Sequence, residues 1–226
     1  MGNIMSKKTY DIGQYFPFWG SLNEAEKNLI TDNSQVIKYE KGFQMPQCEQ
    51  GCNGIMIVLS GQMRTYISSE EGREVTLFRV FKDEVCVLSA AGLMDAIVFD
   101  VMIDAVEASE ILMIPVAVLE PMIKRHPEME AYIYRTATER FSEVVWILQQ
   151  ILFLSVDKRV AQFIWDEITR TGVVDVTLTH DEIARYIGSA REVVTKVLKY
   201  FQSEGVVVLS RGKISIVDKN KLKKYC

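Results

Sequence analysis

The chain has 226 residues, of which 48% are hydrophobic and 25% charged, and a formal net charge of -4 at pH 7. This composition excludes a largely disordered chain, and the length fits two compact units. The charge is uneven: residues 156–226 hold 13 Lys and Arg against 9 Asp and Glu, a balance of +4, and residues 1–155 hold 13 against 21, a balance of -8. The asymmetry predicts a basic module that meets phosphates and an acidic module with another role.

The beginning of the chain lacks the features of an export signal. Residues 1–20 contain neither a continuous apolar run nor a small-residue cleavage site, and no later stretch reads as a membrane span. We therefore expect a cytoplasmic protein. Its four cysteines are then expected to be thiols rather than disulfides.

The first predicted element is a short helix. The sequence SLNEAEKNLI predicts a helix with Ser21 as its cap and Glu24 completing a capping box.

A series of short strands follows the helix. From Gln35 to Pro115, apolar runs are separated by turn residues at intervals of roughly 8 to 12 residues, which is typical of a β-sandwich or barrel. The run IMIVLSGQMRTYIS turns at Ser60-Gly61. Its second arm alternates, so that one face is predicted to carry Met63, Thr65 and Ile67 and the other Arg64 and Tyr66. We predict an antiparallel, jelly-roll-like β-roll over residues 1–127.

The period becomes helical from about Glu128 to Leu154. A helix of about 27 residues spans about 40 Å, which is too long for one small core. Its apolar residues alternate at spacings of three and four, as in the seam of a two-stranded coiled coil, so residues 128–155 are predicted to form a dimerisation helix. The predicted seam comprises Tyr134, Ala137, Phe141, Val144, Leu148 and Ile151. The alternative is a helix that lies only on its own domain.

Two short helices are predicted within the stretch LTHDEIARYIGSAREVVTKVLKYF, after a helix at about residues 156–170. Thr179 with Glu182 makes one capping box, and Ser189 with Glu192 makes another. The two helices therefore start ten residues apart, with Gly188 in the bend, which is the spacing of a helix-turn-helix.

The second of these helices is predicted to pack with one face and present the other. At 100° per residue, the packing face holds Val194, Val197, Leu198 and Phe201, and the presented face holds Arg191, Glu192, Thr195, Lys196 and Lys199. In a recognition helix the first turn reaches base edges in the major groove, where arginine binds guanine and glutamate accepts from cytosine. The alternatives are that Glu192 only closes the box with Ser189, and that the two lysines form a solvated face.

The sequence VVVLSRGKISIVD predicts a β-hairpin that turns near Arg211-Gly212. Arg211 and Lys213 at its tip suit a wing that contacts phosphate, and a simple sheet edge is the alternative. Residues 156–226 are therefore predicted to form a winged helix-turn-helix domain. Its candidate DNA-binding residues are Thr179, Ser189, Arg191, Glu192, Thr195, Lys196, Lys199, Arg211 and Lys213.

The whole layout, and the string LTHDEIARYIGSAREVVTKVL above all, resembles the Crp/Fnr family of the cyclic-AMP receptor protein and the fumarate-nitrate regulator. The resemblance implies an α+β chain in which a cyclic-nucleotide-binding-like roll, residues 1–127, is the sensor domain that binds an effector. It also implies a dimer that binds a palindromic site in double-stranded DNA, with RNA polymerase as a candidate partner. It also implies that Arg191, Glu192 and Lys196 read bases. The cyclic-AMP branch has arginine at the last position, and lysine cannot make the same fork-shaped contact.

The sensor half departs from the cyclic-AMP branch. That branch binds ribose with a Gly-Glu pair and phosphate with an Arg-Ser pair, where this chain has Val87-Leu88 and Phe99-Asp100. Val144 and Val145 replace the polar contacts expected for adenine, so we expect another effector or none rather than a cyclic nucleotide. The candidate effector pocket is Val87, Leu88, Ser89, Ala90, Phe99, Asp100, Val144 and Val145. A packed turn without a ligand is the alternative.

Cys48, Cys52 and Cys86 are candidates for a metal, cluster or thiol redox sensor, or else small buried hydrophobic residues. An iron–sulfur cluster is disfavoured, because the cluster-binding branch places most of its cysteines ahead of the roll, where this chain has none. Haem coordination by His126 or a cysteine is a further hypothesis. The sequence requires no cofactor and leaves the effector unknown.

An enzyme built on the roll, such as a cupin-like oxygenase, would need several histidines there. The chain has only His126 and His180, and neither lies among the predicted strands between Gln35 and Pro115, so we predict that it is not an enzyme. The sequence predicts a homodimeric, sequence-specific DNA-binding transcriptional regulator, controlled at the roll by an unidentified effector or redox signal. The alternative is a cyclic-nucleotide-responsive or protein-binding module without sequence-specific DNA binding.

Overall fold

The structure, a computed structural model, describes residues 10–45, 54–90 and 101–226, and the backbone alone at residues 3–4 and 91–93. The helices of the described ranges are α1 (Glu24–Asn33), α2 (Val116–Ile123), α3 (Pro127–Phe153), α4 (Val156–Thr171), α5 (His180–Ile187), α6 (Arg191–Ser203) and α7 (Lys219–Lys223). The strands are β1 (Asn3–Ile4), β2 (Gln35–Tyr39), β3 (Gly54–Ser60), β4 (Gln62–Ser68), β5 (Glu74–Phe81), β6 (Val85–Cys86), β7 (Met102–Ala105), β8 (Ser109–Pro115), β9 (Asp175–Val176), β10 (Val207–Ser210) and β11 (Lys213–Ile216). None of the described helices combines the length and hydropathy that a membrane-spanning segment needs.

The chain divides into two compact units. The first contains Met1–Tyr66 and Leu77–Glu143, and the second contains Ile67–Thr76 and Val144–Cys226. The division therefore falls within α3 and also assigns the tip of the β4–β5 hairpin to the second unit.

The first unit is built on two antiparallel sheets, in the strand orders β1-β2-β8-β3-β6 and β5-β4-β7. The central strand β3 reads GIMIVLS, and its residues Ile55 to Val58 are at most 1% exposed. Such a continuous apolar run indicates a strand covered on both faces. An antiparallel roll of this kind confirms the predicted α+β class.

One local prediction in this unit is wrong. The α1 cap is Asn23 rather than Ser21, and its capping box is closed by Glu26 rather than Glu24, because the helix begins two residues later than expected. In β4, the predicted strand is present and both of its alternating faces are covered, because Met63, Arg64, Thr65 and Tyr66 are all buried. Burial of Arg64 is compensated by Asp104, whose two carboxylate oxygens accept from its guanidinium at 3.0 and 2.7 Å.

The Ser60-Gly61 turn is present, but it carries the chain from one sheet to the other instead of closing a hairpin. Gly61 has φ +82°, and a Cβ there would collide with Ser109. Glycine is therefore required at this change of sheet.

Helix α3 has 27 residues, as predicted, and its two sides differ. Met129, Ile133 and Ala137 are buried, and all three belong to the hydrophobic core of the first unit. Ala137 is therefore a correction to the predicted seam, because spacings of three and four do not tell which of two apolar faces packs inside the chain. The exposed apolar side chains of α3 are Tyr134, Phe141, Trp146, Leu148, Leu152 and Phe153. Of the other seam residues, Val144 and Ile151 are half-buried.

The second unit packs α4, α5 and α6 beside a three-stranded antiparallel sheet in the order β10-β11-β9. Val160, Ile183, Val194, Leu198 and Phe201, which lie on these three helices, are all 0% exposed. Helix α4 ends at Gly172, which takes the left-handed conformation with φ +72°, as is common for a helix terminus. This packing fixes the positions of α5, α6 and the β10–β11 hairpin, which carry the candidate site.

Candidate nucleic-acid interface

Helices α5 and α6 form the helix-turn-helix that the sequence predicts. Thr179 caps α5: its hydroxyl accepts from the Glu182 backbone N–H at 3.1 Å, and the Glu182 carboxylate accepts from the Thr179 backbone N–H at 2.8 Å. The first predicted capping box is therefore confirmed. Gly188 follows α5 with φ +64°, which places it in the left-handed region that glycine tolerates best.

Two arginines hold the end of α5. Arg159 of α4 donates to the Ile187 carbonyl at 2.8 Å, and Arg73 of the hairpin tip donates to the Gly188 carbonyl at 2.6 Å. Carbonyls at a helix C-terminus lack helical partners and carry partial negative charge, so cations stabilise them. Burial lowers the pKa of Arg159, and the nearby Arg73 lowers it further. Because Gly188 also lies against Val75, with only 3.0 Å between an added Cβ and the nearest valine carbon, the turn is tightly enclosed.

The second predicted capping box is wrong. Helix α6 begins at Arg191, its N-cap is Ala190, and no side chain caps it. Ser189 lies half-buried in the turn, where its backbone N–H donates to the Ala184 carbonyl at 2.9 Å and so completes the end of α5 instead. The exposed Glu192 is consequently not engaged by Ser189.

The two predicted faces of α6 are present. Val194, Leu198 and Phe201 are fully buried, and Val197 is half-buried. The opposite face exposes Arg191, Glu192, Lys196 and Lys199, with Thr195 half-buried beside them. The exposed face of α6 thus presents three positive charges and one negative charge, and the opposite face of the helix is buried in the core of the second unit.

The predicted wing is the β10–β11 hairpin, which turns at Arg211-Gly212 with Gly212 at φ +70°. Arg211 is exposed, but Lys213 pairs with Asp175 of β9 at 2.7 Å. The hydrogen bond from Lys213 holds the pKa of the Asp175 carboxyl below its usual value. This ion pair connects the wing to β9. Arg211 is therefore the cation of the wing that is more available to an outside ligand.

A groove of about 470 Å³ separates the wing from the helix-turn-helix. Its lining comprises Leu178, Thr179, His180, Asp181, Arg191, Ser210, Arg211, Gly212, Lys213 and Ile214. The structure therefore brings four of the predicted DNA-binding residues together around one concave surface: Thr179 and Arg191 of the helix-turn-helix, and Arg211 and Lys213 of the wing.

His180 is the residue of this site that the sequence did not single out. Its Nδ1 lies 3.0 Å from the Thr195 hydroxyl of α6, and that hydroxyl also donates to the Arg191 carbonyl at 2.8 Å. Partial burial lowers the pKa of the imidazole below its usual value, and Arg191 and Lys199 lower it further. Its position as the first residue of α5, directly after the Thr179 cap, was the available sign that it faces the recognition helix.

The described part of the predicted effector pocket is packed. Val87 and Ala90 are 0% exposed and belong to the hydrophobic core, and the Ser89 hydroxyl donates to the Gly54 carbonyl at 2.7 Å. The sequence could not tell a lined cavity from a tight turn, because small residues suit both. Phe99 and Asp100 lie outside the described residues. Val144 and Val145 are half-buried.

The candidate metal or redox residues, three cysteines and His126, lie in different surroundings. Cys48 and Cys52 lie outside the described residues. Cys86 is fully buried, and burial raises the pKa of its thiol, which disfavours the reactive thiolate. The Nε2–H of His126 donates to the Glu26 carboxylate at 3.1 Å, so His126 has a structural partner. In the part of the chain that the structure describes, no three His, Cys, Asp or Glu side chains are arranged to hold a metal ion.

Comparisons with known proteins agree with this geometry. Residues 158–225 match the Crp-like helix-turn-helix domain. A crystal structure from Eubacterium rectale, described as a transcriptional regulator of the Crp/Fnr family, is 42% identical, covers 94% of this chain and 98% of its own, and has a TM-score of 0.86. An anaerobic regulatory protein of Haemophilus influenzae is 28% identical over 89% of this chain and 80% of its own. A fumarate and nitrate reduction regulatory protein of Vibrio cholerae is 24% identical over 88% and 81%.

The helix-turn-helix, its charged outer face and these relatives define a DNA-binding transcriptional regulator rather than an enzyme. The chain belongs to the Crp/Fnr family of transcriptional regulators.

Proposed function

We propose that this regulator is a homodimer that binds a palindromic operator in double-stranded DNA and controls transcription in the cytoplasm. Residues 1–127 serve as a β-roll sensor, 128–155 as the dimerisation helix and 156–226 as the winged helix-turn-helix. The observation that carries the proposal is the two-sided character of α6, whose inner face is buried and whose outer face exposes Arg191, Glu192, Lys196 and Lys199.

Helix α6 enters the major groove with its first turn. Arg191 binds a guanine through two hydrogen bonds, and Glu192, which no capping box restrains, accepts from a cytosine amino group. Lys196 and Lys199 contact bases or phosphates further along the helix, and Arg211 of the wing contacts phosphate. Four of the candidate residues make contacts within the domain, at the helix ends, in the turn and in the wing: Thr179, Ser189, Thr195 and Lys213. We therefore assign these four residues to support of the interface more than to recognition of bases.

A second copy of the chain covers the exposed side of α3. Tyr134, Phe141, Leu148 and Leu152 lie on this side at spacings of seven and four, and each is more than 40% exposed. An apolar stripe of this length on a single helix favours a partner helix, as in a two-stranded coiled coil. Two-fold symmetry then requires half-sites with centres about 34 Å apart, one turn of the DNA helix.

The roll responds to a signal other than a cyclic nucleotide. The burial of Val87 and the hydrogen bond from the Ser89 hydroxyl to the Gly54 carbonyl support this, because these side chains already pack inside the roll. A different ligand, or a redox change that involves Cys48 and Cys52, would alter the packing of α3 and with it the spacing of the two recognition helices. RNA polymerase is the downstream partner of such a regulator.

Selection of random duplexes by the purified protein, with and without oxygen, tests this function. We expect enrichment of a two-fold symmetric motif, a dimer by light scattering, and affinity that falls steeply with salt because phosphate neutralisation releases counterions. Calorimetry with cyclic AMP and cyclic GMP should give no heat of binding. A monomer that enriches no motif would overturn the proposal and favour a protein-binding module, and a motif enriched equally with and without oxygen would remove the redox signal.

A further inference from the structure

The groove between α5 and the wing contains a titratable group that the interface described above does not use. His180 shares this groove with two arginines, Arg191 and Arg211. It is half-buried, and it contacts α6 through Thr195. The arrangement therefore joins the start of α5 to the recognition helix and places an imidazole beside two fixed positive charges.

The hydrogen bonds of Thr195 determine which ring nitrogen of His180 carries the proton. The Thr195 hydroxyl has one hydrogen, which it donates to the Arg191 carbonyl at 2.8 Å. Its oxygen can then only accept from His180, so Nδ1 is the protonated nitrogen at 3.0 Å. In the neutral imidazole, Nε2 therefore bears the free lone pair and is the atom that takes up a second proton.

Partial burial, and then the charged groups that face His180, favour the neutral imidazole in the free protein. These groups are Arg191 and Lys199 of α6, Arg211 and Lys213 of the wing, Asp181 of α5 and, across the wing, Asp175. Both acids are already paired, Asp181 with Arg185 at 3.3 Å and Asp175 with Lys213 at 2.7 Å. The cations thus dominate the local field, and an anion in the groove would reverse it.

We propose that this groove binds one phosphate group of the DNA backbone, and that His180 takes up a proton from solvent at Nε2 as the phosphate enters. The new Nε2–H donates to a phosphate oxygen, while Nδ1–H keeps its bond to Thr195 and so holds the first turn of α6 in place. Arg211 supplies the second cation. This inference rests on the proposed DNA binding and adds a proton-linked contact to it, in which His180 is a positioning residue for Arg191 as well as a ligand for phosphate.

The sign of the pH dependence follows from proton uptake. A group that is neutral in the free protein and protonated in the complex makes binding stronger as the pH falls, with a limit of tenfold in affinity per pH unit for each His180. We expect affinity for the selected operator to rise by roughly 3- to 10-fold per half-site between pH 8 and pH 6 at constant ionic strength. The variant His180→Gln, which can still donate to Thr195, should keep the affinity of pH 8 at both values.

Proton uptake can also be measured without a variant. The chain has only two histidines, so NMR of the imidazole carbons resolves His180 from His126 in the free and the bound protein. We expect the pKa of His180 to rise when the duplex is added, because a phosphate beside the imidazole favours its charged form, and the carbons of His126 serve as the internal reference. An unchanged His180 titration, or a pH dependence that survives in His180→Gln, would overturn the inference.

Duplexes in which single phosphates are replaced by neutral methylphosphonates identify the ligand. Loss of the pH dependence at one replacement per half-site supports a phosphate in the groove. Retention at every position would overturn the phosphate and indicate a base edge instead. A protein that binds no duplex at any pH contradicts the proposed function itself, whereas normal operator binding with a pH-independent affinity contradicts this inference alone.

Discussion

Helices α6 and α3 are both amphipathic, but they leave different surfaces exposed. The outer face of α6 carries Arg191, Glu192, Lys196 and Lys199, whereas the outer face of α3 carries Tyr134, Phe141, Leu148 and Leu152. Water solvates the charged face without cost, and an exposed apolar stripe is unfavourable until another apolar surface covers it. The exposed face of α6 is therefore stable in water as it is, whereas the exposed face of α3 favours a protein partner.

The largest expected effect is on the inner face of α6. Phe201 is fully buried, so Phe201→Ala should lower the free energy of unfolding of the second unit by about 3–5 kcal/mol through lost burial and a cavity. Urea unfolding followed by circular dichroism measures it. Val208→Ala, at a side chain that is 51% exposed, is the control and should change stability by less than about 0.5 kcal/mol. Equal effects would mean that α6 is not packed as described.

A charge placed on the outer face of α3 tests whether this face binds a second copy of the chain. Leu148→Glu should weaken self-association by roughly 100-fold, because the carboxylate would be desolvated between two apolar helices. Sedimentation equilibrium measures the dimer constant. Glu139→Gln, at an exposed position of the same helix, is the matched control. If the leucine variant dimerises like the wild type, the stripe has another partner.

Removal of one charge from the outer face of α6 should affect DNA alone. Arg191→Ala should weaken operator binding by about 1–3 kcal/mol and relax the preference at one base pair. Lys199→Ala should weaken all sequences alike and reduce the salt dependence by about one unit. Binding isotherms on the selected operator and its single-base variants separate the two outcomes. An unchanged motif in the arginine variant would remove Arg191 from readout.

The turn that orients α6 gives the smallest effect. Gly188→Ala forces a Cβ into a left-handed residue and against Val75, and should cost about 1–2 kcal/mol of stability. Gly212→Ala has the same backbone strain at φ +70° but open space around it, so it should cost about 1 kcal/mol. The difference between the two melting curves isolates the crowding at the turn. Equal losses would mean that Val75 moves aside.

Short-range sequence patterns predict most of the elements of the second unit. The Thr179–Glu182 capping box, Gly188, the packing of Val194, Leu198 and Phe201, and the wing turn at Arg211-Gly212 were all readable from the sequence. These features depend on residues close together in the chain, whose relative positions a helix or hairpin fixes. The length of α3 was readable for the same reason.

Features that join residues distant in the chain could not be predicted from local sequence patterns. Local propensity placed a capping box at Ser189, but the backbone N–H of Ser189 instead completes the end of α5. Ala137 faces its own core, Arg64 is buried with Asp104, and Val87 to Ala90 form a packed turn. The contact of His180 with Thr195 spans 15 residues and two helices. In each case the contact depends on a residue far away in the chain. A local sequence pattern contains no information about that residue, because only folding brings the two together.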